Sequence, residues 1–232
     1  DHRHLWQDRS TTFGGGLVPF PMAVAVDSNE DVYIADDYTN RIFIYHKDGE
    51  PIGFWPNREP SDAPPYNPGH LPHSLYLTKL RGGNDGDGEL NGPSGLVFDP
   101  QDNLYVVDGQ NHRVQKFTKE GQFVLGWGAF GNGEGQFDMP WGITVDEGGD
   151  VYVADWRNDR VQKFGPDGKF LAAFGSSGDL IGQYNRPSAV AVDQDGDIYV
   201  VDWLNYRVQV FTPEFRYITE FKGDATISKW GE

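Results

Sequence analysis

The densest concentration of reactive side chains is DWRNDRVQKF, residues 155–164, where Asp155, Trp156, Arg157, Asp159 and Arg160 fall within six positions. Carboxylate and guanidinium at this spacing suit either proton transfer or a fixed ion pair. Two other stretches hold metal-ligating residue types. His70 and His73 form an H-x-x-H in a Pro-rich stretch, and Asp85, Asp87 and Glu89 lie together in NDGDGE. A zinc site needs three or four ligands, and the chain has no Cys and only His2, His4, His46 and His112 besides, so the pair is a weak start. The carboxylates lack the spacing of an EF-hand and stand as candidates for an irregular Ca²⁺ site. No G-x-S-x-G nucleophile and no phosphate-binding glycine loop is present. No catalytic residue is assigned, and Ca²⁺ is the one cofactor to keep in view.

Whether 155–164 is a site or scaffold is decided by its copies. DDYTNRIFIY begins at Asp36, DGQNHRVQKF at Asp108 and DWLNYRVQVF at Asp202. The last three copies are spaced by 47 residues, whereas the first interval is 72, so an insertion at about 55–90 interrupts it. A fixed period of this length is the signature of a repeat architecture. A residue present in every copy serves a need every copy shares. Asp36, Asp108, Asp155 and Asp202, each five before Arg41, Arg113, Arg160 and Arg207, are therefore read as structural: the carboxylate accepts turn N–H groups and a bidentate guanidinium. Asn111, Asn158 and Asn205 are read as turn residues of left-handed geometry.

Each copy carries four short runs with strand periodicity, as in AVAVD, IYVVD, RVQVF and RYITEF. Asp-rich turns such as DQDGD at Asp193 join the first two runs, and Asp48-Gly49, Glu120-Gly121 and Asp167-Gly168 join the last two. No helical period appears. With 38% apolar and 14% aromatic residues, the chain can bury a core. The reading is all-β: four-stranded antiparallel blades of a β-propeller in a single domain, 1–232, with repeats at about 18–55, 91–128, 138–175 and 185–222. Phe117, Phe164, Phe211 and Tyr45 should pack between blades, and Val24, Val97, Val145 and Val192 near the channel.

The pattern LYVVDGQNHRVQKF, closed by an acid-Gly turn, resembles the NHL repeat, and residues 135–175 follow that pattern along their whole length. The resemblance implies a propeller, commonly six-bladed, serving chiefly as an interaction platform. HRHLW, residues 2–6, resembles the last strand of a preceding blade, which favours four blades of a longer propeller over a closed four-blade ring. Among relatives implied by the resemblance are metal-dependent enzymes, a peptidyl-hydroxyglycine lyase and lactonase-type hydrolases. That alternative would hold its metal in the central channel.

Positions that vary where the scaffold is constant are the candidates for function. On the loops between second and third strands these are Tyr38, His112, Trp156, Arg157, Trp203 and Tyr206, joined by Trp141 at the start of a first strand. Together they predict a binding rim for a protein, peptide or carbohydrate, since aromatic residues give large contact area at low entropic cost. The insertion is expected to add a contact loop. Further blades or subunits completing the propeller are a second class of partner. A net charge of −16 repels phosphate backbones and excludes nucleic acid as the expected partner. No apolar run reaches the roughly 18 residues of a membrane span, so no membrane insertion is expected. High acidity fits a secreted or periplasmic, extracellular setting.

Overall fold

The computed structural model describes residues 20–37, 39–49, 51–55 and 85–223. Tyr38, His70, His73, residues 2–6 and most of the insertion lie outside them. The four predicted repeats form four antiparallel sheets, each of four strands in sequential order. Blade 1 holds β1 (Pro21–Val26), β2 (Val32–Asp36), β3 (Arg41–Tyr45) and β4 (Pro51–Trp55); blade 2 holds β5 (Pro93–Phe98), β6 (Leu104–Asp108), β7 (Arg113–Phe117) and β8 (Phe123–Trp127). Blade 3 holds β9 (Pro140–Val145), β10 (Val151–Asp155), β11 (Arg160–Phe164) and β12 (Phe170–Phe174). A short parallel pair, β13 (Ser176–Ser177) and β14 (Gln183–Tyr184), precedes blade 4, which holds β15 (Pro187–Val192), β16 (Ile198–Asp202), β17 (Arg207–Phe211) and β18 (Tyr217–Lys222).

Local chemistry sets each hairpin. In the first turn of every blade an Asp side chain accepts backbone N–H groups further along the turn: Asp27 from Asn29 and Asp31, Asp99 from Gln101 and Asn103, Asp146 from Asp150, Asp193 from Asp195 and Asp197. An Asx turn of this kind replaces ladder bonds the reversing chain loses. The turn then needs one left-handed residue. Gly149 and Gly196 supply it in blades 3 and 4, while Glu30 and Asp102 adopt it at some cost in blades 1 and 2.

The blades pack face to face through their inner strands, β1 on β5, β5 on β9 and β9 on β15. The first strands approach so closely that a Cβ on Gly142 would sit 2.6 Å from Ala189 Cα. Three apolar clusters fill the junctions. The middle one joins Tyr105, Val107 and Val114 of blade 2 to Ile143, Val153 and Phe164 of blade 3. Phe117, Phe164 and Phe211 are buried in these clusters. Val97, Val145 and Val192 pack against them as well, whereas Val24 is largely exposed. Among the described residues no strand of blade 1 packs on blade 4 in the way neighbouring blades do, so a closed four-blade ring is not formed.

Candidate functional site

Each second strand ends on the repeated Asp, and in blades 2, 3 and 4 the chain then makes one 3-10 turn before the repeated Arg opens the third strand. The four Asp side chains are fully buried. In blade 3, Asp155 accepts from the Asp138 N–H, the Asn158 amide, Arg160 Nε at 2.9 Å and the Gln162 amide. Asp108 and Asp202 repeat the set with Asn91, Asn111, Arg113 and Gln115, and with Asn185, Asn205, Arg207 and Gln209. Blade 1 substitutes Thr39, whose hydroxyl donates to Asp36.

The guanidinium is not bidentate on the carboxylate, contrary to the sequence expectation. Only Nε reaches the Asp, while the terminal nitrogens donate to carbonyls of the loop entering the blade: Asn132, Gly133 and Gln136 for Arg160, and Asp85, Gly86 and Glu89 for Arg113. The Gln two positions on completes this clamp. Gln162 accepts from the Gly135 N–H and donates to Gln136 O. Its signal was its recurrence as Gln115, Gln162 and Gln209. Burial pushes the Asp108 and Asp155 carboxyls upward, and the hydrogen bonds they accept oppose that shift. A charged group whose bonding capacity is spent inside one blade has little left for substrate.

The clamp also relocates one metal candidate. Residues 85–89 occupy the place of 132–136 and are held by Arg113 in the same way, so Asp85 and Asp87 belong to the regular connecting loop of blade 2 and not to the insertion. Among the described residues no three or more His, Asp or Glu side chains are grouped to hold a metal ion.

Left-handed geometry falls one residue later than the sequence suggested. Asn111, Asn158 and Asn205 lie within the 3-10 turns because their amides must reach back to the Asp. The positive φ belongs to Asn40, His112, Asp159 and Tyr206. That backbone turns the side chain toward the next blade. Asn40 accepts the Gly92 N–H at 2.7 Å, His112 Nδ1 the Met139 N–H at 3.0 Å, and Asp159 the Arg186 N–H at 2.8 Å. Three unlike residues thus do one job, as acceptors for the residue before the next blade's first-strand Pro. His112 is occupied by this bond and by an edge contact with Phe130, at 4.9 Å between ring centroids.

The remaining candidates converge. Trp141, Trp156 and Trp203 form a triangle of indoles with centroid separations of 5.3, 6.3 and 6.5 Å. The guanidiniums of Arg157 and Arg186 lie 5.7 and 5.0 Å from the Trp156 ring centroid, within cation–π range. Arg186 also donates to Arg157 O. Arg186 escaped the sequence reading, its signal being only its place before Pro187. Trp156 is half-buried, its Nε1–H enclosed without an acceptor, whereas Trp203 is 50% and Tyr206 70% exposed. The Arg157 side chain is half-exposed, with Asp138 Oδ1 at 3.8 Å. The described residues of this surface offer π faces and cationic edges.

The NHL repeat family matches residues 90–117, 137–164 and 184–211, which run in blades 2, 3 and 4 from the connecting loop to the end of the third strand. No curated protein matches the sequence. Among solved structures, a streptogramin B lyase aligns at 14% identity and a TM-score of 0.57, over 88% of this chain and 54% of that one. Virginiamycin B lyase from Staphylococcus aureus aligns at 17% and 0.59, over 88% and 56%, and a protein of unknown function from Bacteroides caccae at 12% and 0.57, over 88% and 61%. The chain therefore spans little more than half the length of these neighbours, and identities this low speak to the fold alone. By its repeat matches and its blades, the chain is a β-propeller that carries NHL repeats in blades 2, 3 and 4.

Proposed function

We propose that the protein is a non-catalytic binding module that presents the loops between second and third strands to a protein, peptide or carbohydrate partner, with the insertion as a second contact element. The observation that carries this reading is the indole triangle of Trp141, Trp156 and Trp203, half-open at Trp203 and flanked by Arg157 and Tyr206. Clustered Trp, Tyr and Arg are the residue types that dominate binding energy at interfaces. The ion pairs beneath them hold the loops rigid, so little entropy is lost when a partner docks. Immobilised protein should capture its partner from the native source, and Trp203→Ala should abolish capture with the melting temperature nearly unchanged. Capture that survives the substitution removes the rim reading.

A further inference from the structure

The three inter-blade acceptors do one job with different chemistry. The amide oxygen of Asn40 does not titrate, and the carboxyl of Asp159 has an oxygen to offer whether or not it holds a proton. His112 differs, because only an unprotonated ring nitrogen can accept a backbone N–H. The Met139 N–H reaches Nδ1 at 3.0 Å, which requires the neutral ring with its proton on Nε2. A second acceptor lies beside this bond. Asp138 Oδ1 is 3.9 Å from His112 Nδ1, and it is enclosed without a hydrogen-bond partner. The other charge on that oxygen is Arg157 of blade 3, with Nη1 at 3.8 Å. Arg113, next to His112 in the chain, is turned away onto Asp108 and the carbonyls of residues 85, 86 and 89.

We propose that His112 is a proton-operated latch between blades 2 and 3. The neutral ring holds the Met139 N–H. The imidazolium, having taken one proton from solvent on Nδ1, releases that N–H and donates instead to Asp138, where the carboxylate stabilises its charge. Histidine is the side chain whose ordinary titration falls between about pH 5 and 8, so mild acidification opens this latch while those of Asn40 and Asp159 stay shut. Protonation exchanges one partner for another, so the blades remain folded and only the entry to β9 loosens. Met139 stands two residues before Trp141, and the opening therefore reaches the indole triangle. That last consequence rests on the binding-rim reading, whereas the latch itself does not.

Amide hydrogen exchange of the full chain, followed by NMR from pH 8 to pH 5 and referred to the intrinsic rate at each pH, reads the latch without any partner. Protection of the Met139 amide should fall by about fivefold or more, the worth of one hydrogen bond, while the Gly92 and Arg186 amides keep theirs. Nitrogen shifts of the His112 ring should show Nδ1 unprotonated at the upper end and protonated at the lower, with the same midpoint. His112→Asn should hold Met139 protected across the whole range. Asp138→Asn should move the midpoint to lower pH, because the imidazolium loses its carboxylate. Protection of Met139 that is flat in the wild type, a loss that persists in His112→Asn, or a midpoint indifferent to Asp138→Asn would each overturn the proposal. Partner capture through Trp203 is a separate measurement, so failure of the rim reading leaves the latch standing and failure of the latch leaves the rim.

Discussion

Trp156 and Trp203 are the same residue at the same repeat position in adjoining blades, yet they live in different surroundings. Both open a 3-10 turn after a buried Asp, with nearly identical backbone geometry around them. Trp156 is covered by Arg186 and by Trp203 itself, both from blade 4. Trp203 has no such cover among the described residues and stands half-open. In a repeat protein the repeat fixes the backbone, and the next repeat decides whether a side chain is core or surface.

Six substitutions break or sharpen that comparison. The largest effect belongs to what the blades share. Asp155→Ala leaves Arg160, Asn158 and Gln162 without their buried acceptor and should cost about 3–5 kcal/mol in denaturant unfolding. Next is the indole pair: Trp156→Ala should lower stability by about 2 kcal/mol, a partial-burial fraction of a core deletion, and Trp203→Ala by less than about 0.5 kcal/mol, as for other surface changes. Equal losses would show that Trp203 is covered in solution.

Tyr184 tests a difference between connecting loops. Its hydroxyl is buried without a hydrogen-bond partner, burial pushes its ionisation upward, and the same position in blade 3 is Phe137. Tyr184→Phe should therefore stabilise the protein by about 1 kcal/mol, by removing an unmet polar group. A loss of stability on thermal melting would mean the hydroxyl has found an acceptor. The smallest contrast concerns the inter-blade acceptors. Asp159→Ala removes the partner of the Arg186 N–H and should cost about 1 kcal/mol. His112→Asn keeps an acceptor at a position where Asn40 already serves, and should stay within about 0.5 kcal/mol of wild type. Hydrogen exchange at the Arg186 and Met139 amides reports each bond directly.

The last pair also marks the limit of reading by repetition. Constancy set the Asp and Arg of the clamp apart from their variable neighbours, because a buried carboxylate tolerates few replacements. Variation then misled at His112, which was grouped with the rim since nothing in the sequence tells an acceptor aimed at the next blade from one facing solvent. Asn, His and Asp share only an acceptor atom, and the N–H they meet lies 27 residues or more away. Asp85 and Asp87 were assigned to the insertion for a related reason. Their loop lacks the Phe-Gly opening of its counterparts, and only the Arg113 contacts reveal the common register.

Four sheets, their strand order, their turns and the roles of the recurring Asp were legible in the sequence, because those depend on periodicity and on chemistry within a few residues. Tertiary structure alone decided which indoles meet and that Arg186 covers Trp156. Those facts depend on the approach of segments about 15 to 60 residues apart, a distance over which blade packing, not local preference, sets the geometry.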